Sequence, residues 1–291
     1  MQFIDVRTDF AFKKVFGSKQ SKDILISFLN AILDFEETPI VDLTIVDPYQ
    51  APPAQGMKQT YVDVKANLED GTQVFIKIQI LSSTTAKKRV QYNAAKAYST
   101  QLNEGEPYSN LKPVITLTIT DFKMFETGEE VISDFRMWEK TRFELYTNQM
   151  ALIFVELPKF NKKLTQLKSI TDKWIYFLKN AGSLKSIPKT LAHEPAINNA
   201  FSIANRASLT AKELDMQEKK LRWVLDQKEL LERVEAAEEA LVLEKAEKRA
   251  AVKAATLQIA KQMLQANAEI TFVMQVTGLD ETEISNLASE M

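Results

Sequence analysis

Residues 61–80 read YVDVKANLEDGTQVFIKIQI. The first run, Tyr61 to Ala66, alternates β-prone with polar residues. Asp70-Gly71 then supplies a tight turn, and Val74 to Ile80 resumes the alternation. Two such runs joined by a short Asp-Gly loop are the strongest local signal for a β-hairpin. Because side chains alternate across a strand, Lys77 and Gln79 share one face of the second run, with Ile78 on the other. Asp63 is expected on the first strand, across from them.

Outward from this hairpin the periodicity changes. Residues 1–35 carry Phe12, Phe16, Ile24, Leu25, Phe28 and Leu29 at helical spacing, with Gly17 between two helices. Val41, Leu43 and Ile45 alternate as a strand would, and Pro48, Pro52 and Pro53 mark an irregular loop after it. Residues 84–104 return to a helix, closed by Gly105 and Pro107. Pro113–Thr120 and Leu152–Leu157 are two further strands, the second a continuous apolar run of buried-strand length. The order helix, three strands, helix, strand, strand predicts an α/β core with a mixed central sheet flanked by helices. After Lys159 only helices are expected.

Residues 208–265 contain neither Gly nor Pro and are rich in Glu, Lys, Ala and Leu. Leu214, Leu221, Leu225, Leu231, Val234 and Leu241 recur three to seven residues apart along it. A coiled coil that pairs two copies is one reading; a long helix folded back on its own domain is the other. Beyond it, two short helices hinged at Gly278 have the outline of a helix-turn-helix, or of a small packing or oligomerisation tail, the reading given more weight. The expected division is a core over 1–160, a helical extension over 161–207, the long helix over 208–265 and a small module over 266–291.

Composition narrows the chemistry. The 291 residues are 45% hydrophobic and 26% charged, with 7 glycines and 9 prolines, which fits a packed core and not a loop-rich chain. No apolar run approaches the roughly 18 residues that a bilayer demands, and the first residues lack the apolar stretch of a signal peptide. The default address is therefore the cytoplasm. With no cysteine and the single histidine His193 in a polar segment, thiolate and histidine chemistry have no material to work with. A metal would be bound by oxygen, which favours Mg²⁺ or Mn²⁺. The net charge of −2 leaves room for a local basic face.

Metal-assisted phosphodiester hydrolysis needs a divalent ion beside the scissile phosphate and a group that positions water. The order acid, turn, x-hydrophobic-Gln over 63–79 is what such a site would use. Asp63 alone would more often be a surface residue. Asp9 could be a helix-start charge, and Asp47 a turn residue before the proline loop. Lys87, Lys88, Arg89 and Tyr92 open the helix after the hairpin, either as a solvated helix start or as a face for phosphates; Lys13 and Lys14 are a weaker instance.

The chain also resembles the Rpn family of recombination-promoting nucleases, a PD-(D/E)XK nuclease family of transposases. The resemblance is carried by TDFAFKKVFG (8–17), VDVKANLEDGTQVFIKIQ (62–79), KKRVQYNAAKAY (87–98), Tyr108 with Leu111 and PVI (113–115), ELPKF (156–160) and TGL (277–279). It implies a restriction-endonuclease-like core, a Mg²⁺- or Mn²⁺-dependent DNA endonuclease activity, and a role in DNA recombination or mobile elements. It implies Asp63 as metal ligand, Asp9 as an auxiliary acid, and Gln79 in place of the usual lysine; Asp47 stands equally as a turn residue or a further metal ligand. Lys87, Lys88, Arg89 and Tyr92 would contact DNA; separately, the coiled-coil reading of the long helix has the C-terminal helices join two copies.

One departure matters. Where the family pattern has a metal-binding glutamate, this chain has Lys77. An ammonium cannot ligate Mg²⁺, and the exchange alters local charge by two units. At an effective dielectric near 20, unit charges about 4 Å apart interact by about 4 kcal/mol, enough to empty the site. The reversal reads as a deliberate inactivating substitution, as natural loss, or as Lys77 serving as the water-positioning group. The resemblance thus leaves two outcomes: a nuclease held inactive by Lys77, or a degenerate fold kept as a DNA-binding or oligomeric scaffold. A defence or toxin role is compatible with either.

Overall fold

A computed structural model of the chain describes residues 2–33, 38–50 and 60–289. The expected loop around Pro52 and Pro53 lies outside the described residues. Two compact units are present, Met1–Leu225 and Asp226–Met291.

The first unit is an α/β layer structure, a mixed six-stranded sheet flanked by helices. It begins with α1 (Asp9–Phe16) and α2 (Lys22–Ile32), separated at Gly17 as the spacing predicts. Thr8 caps α1 by accepting the Ala11 N–H. Strand β1 (Leu43–Val46) follows, then the short strands β2 (Tyr49–Gln50) and β3 (Thr60–Tyr61), which pair as a separate ribbon. The hairpin is β4 (Val64–Leu68) and β5 (Gln73–Gln79), joined by a turn in which Gly71 adopts φ 86°. An L side chain rarely adopts that φ, so the Asp-Gly signal has a backbone cause. Asp70 closes the turn by accepting the Thr72 N–H at 2.8 Å.

Helix α3 (Ala86–Ser99) crosses from β5 to β6 (Val114–Thr120), which runs parallel to β5. Every residue of β6 is buried, as expected of a strand covered on both faces. Two strands complete the sheet: β7 (Ile132–Trp138) and β8 (Leu145–Glu156), giving the order β1-β4-β5-β6-β8-β7. The sequence reading misses β7 and starts β8 seven residues late. β7 lies at the sheet edge, where its mostly half-exposed residues need no apolar alternation to hold it.

Ile76, Ile78, Leu117, Ile119, Ile153 and Val155 face one side of the sheet and meet α1, α2, α4 (Ile170–Asn180) and α6 (Pro195–Ala204). The short α5 (Lys189–Ala192) lies between the last two in sequence. The centre of that layer is aromatic: Phe16, Phe28 and Trp174 lie with ring centroids 4.9–5.7 Å apart. The opposite side of the sheet packs Phe75 and Val114 against Ala97 of α3.

Helix α7 (Ala211–Gln265) realises the long helix read from 208–265. Thr210 and Glu213 form reciprocal bonds at its start, a capping box that fixes where it begins. In its first turns the buried positions are Gln217 and Val224, not the leucine stripe: Leu225, Leu231, Val234 and Leu241 are exposed. The second unit gathers the end of α7 with α8 (Ile270–Thr277) and α9 (Glu281–Ser289) around Ala260, Val273, Leu279 and Ile284. Gly278 takes a left-handed conformation at φ 70° and ends α8, where the sequence places the hinge. No described helix is long and apolar enough to cross a membrane.

Candidate functional site

The register of the hairpin builds the site. Val64 pairs with Ile76, and the Asp63 N–H donates to the Ile76 carbonyl at 2.9 Å, which sets Asp63 across from Lys77. Asp63 is not within the strand, as the sequence reading has it, but at a bend just before β4. There the chain leaves the β2–β3 ribbon and joins the main sheet, where β5 holds the residue. Its carboxylate is buried. Lys77 Nζ donates to Oδ1 at 2.7 Å and the Ile78 N–H donates to Oδ2 at 2.7 Å. Burial pushes the Asp63 carboxyl above the ordinary carboxylate range; Lys77 and the Ile78 N–H oppose that push, and Asp9 adds to it.

Gln79 follows on the Lys77 face and is also buried. Its Oε1 accepts from Arg89 Nη2 at 3.0 Å, which ties the first turn of α3 to the end of β5. Of the other α3 residues singled out, Lys87 lies over the Phe125 ring at 4.6 Å, and Lys88 and Tyr92 are exposed. The structure therefore brings together Asp63, Lys77, Gln79 and Arg89. Asp9 lies near enough to act on Asp63 and forms an ion pair with Lys220 at 3.3 Å. Asp47 follows β1 and acts on Lys65, whose ammonium lies over Phe75.

Nucleases of the PD-(D/E)XK class characteristically use divalent metals. The residues here do not fit one. Both Asp63 oxygens already accept hydrogen bonds, one of them from a cation. Among the described residues, no group of three or more His, Asp or Glu side chains is placed to hold a metal ion.

Beside Lys77 the surface opens into a cleft of about 350 Å³. Arg7, Asp9, Lys77 and Arg89 line it together with Lys220 and Trp223 of α7. Sequence reasoning assigns the last two to a solvated or coiled-coil helix. Their spacing of three residues puts them on one face, but only the packing of α7 reveals that this face borders the site. The ELPKF motif has a different outcome: Glu156 and Lys159 form a buried ion pair at 2.7 Å, and Glu156 also accepts the Met124 and Phe125 N–H groups.

With this geometry in place, the sequence comparisons are specific. A family model described as PD-(D/E)XK nuclease family transposase matches residues 6–234. A second, described as the C-terminal HTH domain of the Rpn/YhgA-like nuclease family, matches residues 253–289. The first covers well over half of the chain, which belongs to the PD-(D/E)XK nuclease family transposases. The Rpn resemblance stands on both matches. The second also decides between the two readings of the tail in favour of the helix-turn-helix, the one given less weight on sequence alone. No curated protein and no solved structure matches the chain.

Proposed function

We propose that this chain is a DNA-binding protein on a metal-dependent endonuclease fold, with hydrolysis held off by Lys77. Its setting would be DNA recombination or mobile-element biology. The observation that carries the proposal is the 2.7 Å ion pair between Lys77 Nζ and Asp63 Oδ1, where a nuclease of this class needs a second carboxylate and a cation. Lys77 neutralises Asp63 internally and repels the ion that cleavage requires. What remains cationic is Arg89, bonded to the neutral Gln79, and, on the exposed start of α3, Lys88. Such a surface holds phosphates without reading sequence, and the helix-turn-helix at 253–289 would supply a second DNA contact.

Plasmid nicking in Mg²⁺ and Mn²⁺ tests this. The chain as it stands should bind plasmid and leave it intact, and Lys77→Glu should nick it. Adding Asp63→Ala to Lys77→Glu should abolish nicking again. If Lys77→Glu stays inert, or if Asp63→Ala leaves its nicking unchanged, the site is misassigned. The exposed stripe of Leu231, Val234 and Leu241 on α7 supports pairing of two copies through that helix. Sedimentation of the intact chain should then give a dimer, and Val234→Glu with Leu241→Glu a monomer.

A further inference from the structure

We infer that the cleft beside Lys77 seats an unpaired nucleotide, with its base against Trp223 and its phosphate between Lys220 and Arg89; this rests on the DNA-binding reading above. The substrate class would be DNA with single-stranded character at the site, such as a gap, a flap or a splayed end, and not intact duplex.

Four observations carry it. The cleft is about 350 Å³, inside the range of sites that hold one small ligand, which suits a single nucleotide. Its charged lining is Arg7, Lys77, Arg89 and Lys220 with Asp9; Arg7 is paired with Asp5 and Asp121 and Lys77 with Asp63, while Arg89 bonds the neutral Gln79 and Lys220 shares Asp9, so the last two are the cations that a phosphate could recruit. Trp223 is 48% exposed within it, on a helix whose flanking positions Gln217 and Val224 are buried. An aromatic ring left open beside a cation cluster is the composition of sites that stack bases while holding backbone phosphate. Lys220 Nζ already lies 4.6 Å from the Trp223 ring centroid and pairs with Asp9, so an incoming phosphate would exchange one anionic partner for another.

The wall that carries Trp223 is also fixed in place. Gln217 accepts from Thr8 Oγ1 at 2.8 Å and donates to the Asp5 carbonyl at 3.3 Å, and Glu213 is paired with Lys14. The ring is held beside the site by the same segment that leads into α1. A platform presented this way loses little freedom when a base stacks on it.

Fluorescence anisotropy on the full chain, without added metal, separates the possibilities. The probes are a labelled single strand, the same strand in a gapped duplex, and the same strand in a blunt duplex. Trp223→Ala should weaken the first two by about tenfold, the size of one lost base–aromatic stack, and change the blunt duplex by less than about twofold. Trp223→Phe should keep most of the affinity, because a smaller ring still stacks. Lys220→Ala should lower the salt dependence of single-strand binding by about one phosphate contact, a slope of about 0.7. The inference is overturned if Trp223→Ala binds all three probes like the parent, or weakens all three alike. It is also overturned if a deoxynucleoside monophosphate competes as well as the strand, which would make the cleft a free-nucleotide site. A parent chain that binds none of the probes sinks the DNA-binding reading itself. A parent that binds while Trp223→Ala is silent sinks only the present one.

Discussion

Two lysine–carboxylate pairs in the first unit have the same length and opposite meanings. Lys159–Glu156 and Lys77–Asp63 both measure 2.7 Å. The first is sealed, with side chains 3% and 0% exposed, and Glu156 accepts two further N–H groups from the segment after β6. The second has a buried carboxylate but a lysine that is 33% exposed and borders a cleft. Distance alone does not distinguish structure from site. What differs is whether one partner faces space that a ligand could enter.

The largest effect should come from breaking the sealed pair. Lys159→Met leaves Glu156 charged with no counter-ion in a dry environment, at a cost of about 3–5 kcal/mol. Urea denaturation should show a lower midpoint with an unchanged slope. A loss under about 1 kcal/mol would mean that the two N–H donors suffice for Glu156, and the contrast between the pairs would collapse.

Next in size is Lys77→Glu, which turns the open pair into two facing carboxylates. Mg²⁺ should then raise the melting temperature of the variant and leave that of the parent unmoved, because only the variant offers a site that the ion can fill. Nicking should rise by about a hundredfold or more, on the scale of about 2.7 kcal/mol in transition-state stabilisation. A parent chain stabilised by Mg²⁺ at the same concentration would contradict the lysine block.

Lys77→Met is the gentler break. It removes a charged hydrogen bond from a carboxylate that retains the Ile78 N–H, so about 1–2 kcal/mol should be lost at neutral pH. Burial already raises the Asp63 carboxyl, and without the ammonium it rises further. A raised folded value means that the folded protein holds the proton more tightly than the unfolded chain. Stability of the variant should therefore fall as pH climbs from the unfolded value of about 3.9 through the folded one, then level off. Denaturation across the acid range should show the cost shrinking toward low pH. A penalty independent of pH would place it in packing and not in the Asp63 charge.

The hairpin was legible because each of its signals has a local cause: alternation fixes the faces of β4 and β5, and Gly71 fixes the turn. The two-helix start and Gly278 were legible for the same reason. β7 was not, since an edge strand whose seven residues are all exposed or partly exposed carries no buried face to mark it. Lys77 could be flagged against the family pattern, but its bond to Asp63 needed the register. The sequence offers Arg89 as a DNA contact, whereas its bond to Gln79 depends on how α3 returns across the sheet. Trp223 and Lys220 were hidden altogether. They lie in a helix whose composition speaks for solvent, and only the burial of Gln217 and Val224 turns that segment toward the core.

The smallest effect tests that attachment. Glu213 sits in the first turn of α7, paired with Lys14 of α1 and bonded by Thr210, and its carboxyl is lowered from 4.5 to about 2. A lowered folded value contributes stability above the unfolded range that is lost as pH falls toward about 2. The side chain is 28% exposed, so solvent screens much of the effect and the change should be slight. Amide exchange at Leu214–Val224 should quicken as pH drops below about 4.5 beyond the intrinsic trend, and Glu213→Gln should remove that excess. Because Trp223 rides on the same turns, single-strand binding by the parent should weaken over the same acid window more than binding by Glu213→Gln. If the two respond alike, the Lys14–Glu213 pair does not hold the wall of the cleft, and Gln217 alone must.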